Sequence, residues 1–340
     1  MGRLQAIRRA YFLVLPDVHL LDLSGPAQVL YTLPELEISP TEVVFVGPVA
    51  KVRSYQGLQM EVQPLPRRLN SDDVLLVVGL KLTHARLTSE AWHQAIDWLA
   101  KTDFGGATVC GVCTGTFLMA QAGLLDGRWC TTHHGFLDRL ASTTPNARVV
   151  ANRLFVKDEN IVTSAGVASG IDMALHIVAE RYGMPVALRV ARENVVHFRR
   201  LGGDPSLSPF LRHREHLNPA VHMAQDLLSE SPAAPPTCNA LAQRCGVSYR
   251  QLARLFQREA GISIKQYQLE LRIDLARRLL ADTAHSIEHI SELAGFSSAQ
   301  AFHSAWRTRE TTSPLAYRRT IESKVEDWYP LDEPGEGSLY

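Results

Sequence analysis

Over the first two hundred residues, short apolar runs alternate with segments of helical period. Residues 11–15, 43–46, 74–78 and 107–112 are rich in β-branched and apolar side chains and are bounded by Pro, Gly or Asp, the signature of buried strands. Residues 87–100, 114–122 and 171–181 space their apolar positions three and four apart and predict helices. Strands that are apolar throughout, separated by helices, predict an α/β domain whose parallel sheet is covered on both faces. Residues 149–156 and 160–164 predict a hairpin joined through Asp158-Glu159-Asn160.

The pattern changes after residue 200. Leu201-Gly202-Gly203-Asp204-Pro205 is a break, residues 217–229 suit one short helix, and residues 229–236 form a Pro-rich connector. From Thr237 to Lys324 every apolar pattern is helical, and residues 327–340 are acidic with Gly and Pro. The expected organisation is a sheet domain over 1–200, a linker over 201–236, an all-α domain over 237–324 and an acidic tail over 325–340.

Length agrees with two domains: 340 residues exceed one ordinary core. Net charge is zero, which excludes a whole-chain polycation but hides an uneven distribution. Residues 237–324 carry 13 basic and 8 acidic side chains, whereas residues 325–340 carry 5 acids and no base. Of the 35 bases 29 are Arg, the side chain suited to bidentate phosphate and guanine contacts. Five cysteines, Cys110, Cys113, Cys130, Cys238 and Cys245, are odd in number and do not space as a disulfide framework, so free thiols and a cytoplasmic setting are expected. No run approaches the roughly 20 apolar residues that span a bilayer, and no membrane partner is expected.

Two Gly-turned helix pairs stand in the C-terminal block. In residues 239–256, Gly246 ends one helix and Ser248 caps the next; Leu252, Leu255 and Phe256 share an apolar face and leave Arg250 and Arg254 on another. About fifty residues on, Gly295 marks a second turn with Ser297 as the expected cap; Phe302 and Trp306 face inward, and Gln300, His303 and Ser304 point elsewhere. Residues 264–281 form the helix between. The pattern Leu-Ala-x-x-x-Gly-Val-Ser-x-Arg-x-Leu-x-Arg-x-Phe at 241–256, the Leu-Arg-x-x-x-Ala-x-x-Leu-Leu run at 271–280, Gly295-Phe296 and the closing Ser-Pro-x-x-Tyr-Arg at 313–318 resemble the AraC/XylS family of bacterial transcription regulators. The chain departs from that family where Glu310-Thr311 replaces an aromatic-Gly pair and Ile264 replaces a Pro. The resemblance implies a double helix-turn-helix domain whose two recognition helices enter successive major-groove segments of an operator, with Arg250, Arg254, Gln300, His303 and Ser304 as DNA-contacting residues.

In the N-terminal block, Val109-Cys110-Gly111-Val112-Cys113-Thr114-Gly115-Thr116 runs from strand directly into helix, with Cys113 at the junction and Gly115 allowing the turn. Free N–H groups at the helix start are expected to favour the thiolate. Leu21-Asp22-Leu23-Ser24-Gly25-Pro26, Val77-Val78-Gly79, Val112-Cys113-Thr114-Gly115, Thr131-Thr132-His133 and Thr163-Ser164-Ala165-Gly166 resemble the PfpI-like members of the class I glutamine amidotransferase superfamily, and the domain of that type fused to AraC-type regulators. That resemblance implies a flavodoxin-like, amidotransferase-like sheet in which Asp22 and His133 flank Cys113. Two other readings of the cysteines are a Cys110–Cys113 redox pair and a metal site from Cys113, Cys130, His133 and His134. The combined expectation is a transcription activator controlled by a small-molecule effector bound near Cys113, Asp22 and His133, acting as a homodimer on double-stranded DNA with RNA polymerase, and needing no cofactor or metal. The alternative is a Cys-dependent hydratase or amidase with a DNA-binding appendage.

Overall fold

The computed structural model describes residues 6–166, 168–196, 208–310 and 312–319, and the chain divides into two compact units, 1–206 and 207–340. The expected break at 201–205 and the acidic tail at 325–340 lie outside the described residues.

The N-terminal unit is built on one seven-stranded sheet. Its strands are β1 (Arg9–Leu13), β2 (Glu42–Gly47), β3 (Gln63–Pro64), β4 (Asp73–Val77), β5 (Thr108–Val112), β6 (Phe155–Asp158) and β7 (Ile161–Ser164). They lie in the order β6-β7-β5-β4-β1-β2-β3, parallel throughout except for the β6–β7 hairpin. Tyr11 stands opposite Val44 on one side and Leu75 on the other. The hairpin is shorter than its sequence pattern suggests. Arg148–Val149 pairs instead with Trp129–Cys130, its backbone drawn there by the Arg128 and Cys130 carbonyls at 2.8 Å each. Asn152, at φ +56°, turns the chain before β6 begins.

Five principal helices cover the sheet: α1 (Leu20–Glu35), α2 (Glu90–Lys101), α3 (Thr116–Gln121), α4 (Ala168–Tyr182) and α5 (Met184–Glu193). Helix α2 starts later than its periodicity predicts because Ser89 caps it, its hydroxyl accepting from the Trp92 N–H at 3.3 Å. Tyr11, Leu13, Val44, Leu75, Val77 and Val109 pack on Trp92, Ala95, Leu99, Phe117 and Leu118. Helix α1 packs on α4 so closely that a Cβ on Gly25 would lie 2.8 Å from Ile171 Cγ1. Covering both faces in this way is what lets strands of unbroken apolar sequence stay out of water.

The C-terminal unit holds α6 (Pro219–Glu230), α7 (Cys238–Arg244), α8 (Tyr249–Ala260), α9 (Ile264–Asp282), α10 (Ile287–Leu293) and α11 (Ala299–Arg307). It has two cores that share α9. Tyr267 and Leu271 pack with Val221, Leu227, Leu228, Leu241, Leu252 and Phe256, whereas Ile273, Ala276 and Leu280 pack with Ile290, Phe302 and Trp306.

Much of the stretch expected to be linker therefore belongs to this unit. Helix α6 supplies one wall of the first core, and its N-cap Asn218 accepts from the Val221 N–H at 3.2 Å. Arg272 Nε donates to the Pro232 carbonyl at 3.0 Å, and Arg272 Nη2 reaches the Ala233 carbonyl at 3.3 Å. A Cβ on Gly295 would sit 2.3 Å from that Ala233 oxygen, so the Pro-rich connector is docked against the second turn. Glu270 on α9 is buried among Arg212, His213 and Arg309, at 3.6, 3.0 and 3.2 Å.

Trp306 is fully buried and its Nε1–H donates to the Thr312 carbonyl at 2.8 Å. Trp306→Ala is expected to destabilise the C-terminal unit by about 3–5 kcal/mol, read as an earlier urea transition by circular dichroism with the N-terminal transition unmoved.

Candidate functional site

The chain leaves β1 for β2 on one side of the sheet and returns to β4 on the other, so the order reverses at β1. Doubly wound sheets bind their ligands at such a switch point, beyond the carboxyl ends of the strands. Four turns meet there: Asp22 in the first turn of α1, Gly79 after β4, Cys113 after β5 and Gly166 after β7.

Cys113 opens a one-turn 3-10 segment, Cys113–Gly115, that leads into α3, and its φ is +56°. A side chain in that region stores strain of about 1–3 kcal/mol. The neighbours hold it there. A Cβ on Gly115 would lie 2.1 Å from the Val77 carbonyl oxygen. A Cβ on Gly79 would meet Asp22 Oδ2 at 2.4 Å and the Cys113 Cβ at 2.8 Å, and one on Gly166 would meet Cys113 Sγ at 2.6 Å. Thr114 Oγ1 clamps the Leu80 backbone, accepting from its N–H at 2.9 Å and donating to its carbonyl at 2.7 Å. The matched glycines and threonines are thus the packing that seats the thiol.

Burial is the first cause, and the Asp22 charge the second, of a Cys113 pKa pushed well above the ordinary thiol value. The thiol donates to the Asp22 carboxylate, and hydrogen bonds with Thr114 pull the other way without reversing the shift. The thiolate expected from the helix start is therefore not what this packing favours. Cys110, inside β5 and fully buried, is likewise held protonated by desolvation.

The structure brings Asp22 to Cys113 but does not bring His133 into use as a base. Thr132 Oγ1 donates to the Cys113 carbonyl at 2.8 Å, which places His133 beside the elbow. The His133 Nδ1 accepts from the Gly135 N–H at 3.2 Å, and the ring stacks on His134 at 4.1 Å between centroids. Among the described residues no hydrogen bond joins His133 to Cys113. Burial first, then His134 and His19, holds the His133 pKa below the usual imidazole value.

In the C-terminal unit, Gly246 takes φ +70° and Ser248 forms a capping box with Gln251, each backbone N–H bound by the other side chain at 3.3 and 3.1 Å. Arg250 and Arg254 are exposed on α8, and neither forms an ion pair among the described residues, whereas Arg258 is spent on Glu259. The second cap is Ser298 rather than Ser297. Its extended backbone, at φ −163°, aims the hydroxyl at the Ala301 N–H, 3.1 Å away. Gln300 and Ser304 are exposed on α11 and His303 is half-buried, its ring 5.7 Å from that of Phe302. Arg307 extends the same face, and its spacing of three and four from Ser304 and His303 was the sequence signal for it. The two family departures are structural here: Glu310 pairs with Arg277 of α9, its Oε1 2.8 Å from Arg277 Nε, and Ile264 is buried in the first core behind its cap Ser263.

Two outcomes follow from the thiol environment. Iodoacetamide should label exposed Cys238 well before Cys113 in the native protein at pH 8, with the two equalised in urea, by peptide mass spectrometry. Folded thiol pKa values above that of the unfolded chain, about 8.5, mean the unfolded state holds fewer protons above that pH. The N-terminal unit should then lose stability as pH rises beyond about 8.5, by up to about 1.4 kcal/mol per pH unit for each of Cys110 and Cys113, with Cys130, pushed by burial to about 11, joining until that value. Thermal melts across pH 7–10 measure it.

The DJ-1/PfpI family pattern matches residues 8–180, and a helix-turn-helix domain pattern matches residues 241–320. The chain is 32% identical over 241 residues to the HTH-type transcriptional regulator CdhR of Pseudomonas aeruginosa, covering 70% of this chain and 71% of that one. It is 32% identical over 219 residues to the HTH-type transcriptional regulator ArgR of the same organism, covering 64% of this chain and 65% of that one. It is also 33% identical over 176 residues to the isonitrile hydratase of Pseudomonas putida, covering 52% of this chain and 73% of that one. With an elbow cysteine on a doubly wound sheet and two capped helix-turn-helix units later in the sequence, the chain belongs to the DNA-binding HTH-type transcriptional regulators that join a DJ-1/PfpI domain to an AraC-type helix-turn-helix domain.

Proposed function

We propose that the N-terminal unit, residues 1–200, senses a small-molecule effector at Cys113, Asp22 and His133, and that residues 237–324 carry the response to an operator. The observation that carries this reading is the state of Cys113: buried, protonated against Asp22 and, among the described residues, with no hydrogen bond to His133. A cysteine nucleophile is activated by a lowered pKa and, in Cys–His pairs, by a histidine within hydrogen-bond reach. The effector acts by binding one arrangement of the chain more tightly than another, since equal affinity for both shifts nothing. Arg250 and Arg254 of the first unit, with Gln300, His303, Ser304 and Arg307 of the second, are the DNA-facing side chains in this reading. A homodimer then sets two such pairs of helices on operator half-sites, and the output is activation through RNA polymerase.

A second reading is enzymatic. Its support is the strained φ of Cys113 beside a carboxylate, together with the likeness to a protein named isonitrile hydratase. Cys113→Ala separates the two. Under the sensing reading, operator binding still responds to the effector, or loses only that response, and no turnover is found in the parent protein. Under the enzymatic reading, the parent protein turns over a nitrile- or amide-like substrate and the variant does not.

Arg254→Ala is expected to weaken operator binding by about 1–3 kcal/mol and to reduce the slope of log affinity against log salt by about one. A gel-shift titration at several salt concentrations reads both, and unchanged affinity removes Arg254 from the interface.

A further inference from the structure

Beside the Cys113 elbow lies a set of side chains that the thiol, the carboxylate and the DNA-reading helices leave unused. Three hydrogen bonds, two of them between backbone groups, bring them there. The His19 N–H donates to the Gly79 carbonyl at 2.9 Å, and Gly79 is the residue that closes over Cys113. Lys81 follows two residues later, its N–H held by the Asp17 carbonyl at 2.9 Å. His133 follows Thr132, whose hydroxyl donates to the Cys113 carbonyl. Tyr55 gathers the first two: the His19 ring meets it edge-on at 5.2 Å, and Lys81 Nζ stands 5.3 Å from its centroid.

The hydrogen-bond pattern fixes what this rim offers. The Gln56 Oε1 accepts from the Leu20 N–H at 3.1 Å, so the Gln56 amide nitrogen donates to His19 Nδ1 at 3.4 Å. The His133 Nδ1 accepts from the Gly135 N–H. Each neutral imidazole therefore carries its proton on Nε2 and presents a donor there. Lys81 adds an ammonium that forms no ion pair among the described residues. The acids nearby are committed: Asp17 is paired with Arg86, and Asp22 is buried against Cys113. The two histidines lie close enough for His19 to act electrostatically on His133. The rim is thus a set of N–H donors and one cation without an opposing carboxylate, on a half-exposed aromatic ring.

We propose that this rim recognises a small organic carboxylate, its oxygens taken by Lys81 Nζ and by the Nε2–H groups of His19 and His133 above Cys113. The proposal rests on the effector reading and names the ligand's chemical class. Charge-assisted hydrogen bonds to a carboxylate are the strong ones, and the open side of the rim leaves the rest of the ligand to meet Tyr55.

The test uses the full chain, melted at fixed ionic strength with three probe sets: small mono- and dicarboxylic acids, their primary amides, and alkyl amines of the same carbon skeletons. The acids should raise the melting temperature in a saturable way while amides and amines leave it in place. Lys81→Met should weaken binding of the best acid roughly tenfold or more by calorimetry, and Lys81→Arg should restore most of it, with the unliganded melts of both variants showing that they fold. Amides or amines that stabilise as well as the acids, or an undiminished affinity in folded Lys81→Met, overturn the carboxylate assignment while leaving effector sensing intact. A melt unmoved by all three sets counts against sensing in this unit as well as against the carboxylate.

Discussion

Desolvation of one thiol sets the chemistry available at the elbow of the N-terminal unit. A helix N-terminus favours a nearby anion by about 0.3–1 kcal/mol at exposed positions, whereas full burial shifts an ionisable group by as much as 3–5 pKa units. At Cys113 the second effect outweighs the first, and Asp22 reinforces it. The burial is made by close backbone approach: Gly79, Gly115 and Gly166 leave no room for a larger residue around the elbow. The strained φ is thereby kept without the solvent exposure and the hydrogen-bonded histidine that turn such an elbow into a nucleophile. Binding chemistry at the rim, rather than covalent chemistry at the sulfur, is what this arrangement supports.

The principal elements of the sheet unit were legible because its strands are short apolar runs between helix patterns, and residues 11–15, 43–46, 74–78 and 107–112 fall on β1, β2, β4 and β5 within a few residues. The hairpin was overextended because residues 148–149 satisfy strand propensity in a different, two-stranded sheet, a tertiary choice that local pattern does not encode. The position of Cys113 was readable from strand-to-helix succession, but its protonation was not, since that depends on Asp22, 91 residues away, and on Gly79 and Gly166, 34 and 53 residues away in the chain. The rim of His19, Tyr55 and Lys81 left no sequence signal: these side chains come from separate turns and share no spacing.

The C-terminal unit was more transparent, because a Gly turn, a Ser cap and three apolar positions are local features. Ser297 and Ser298 are chemically equal, and only the backbone of Ser298 selects it as the cap. The connector was misread for a different reason. Its Pro-rich composition describes stiffness and solvation, whereas its docking depends on Arg272 and Gly295, 40 and more residues downstream. Helix α9 unites the unit, with Tyr267 and Leu271 in one core and Ile273, Ala276 and Leu280 in the other.

Glu270 gives that union a mechanical side. One buried carboxylate accepts from Arg212 and His213, where the described chain enters the unit, and from Arg309, just beyond α11. Neither end can withdraw without leaving a buried charge short of a partner, which is costly. A displacement of the polypeptide at Arg212 and His213 therefore disturbs the same carboxylate that holds Arg309, so the entrance of the unit and its last helix lean on a common charge.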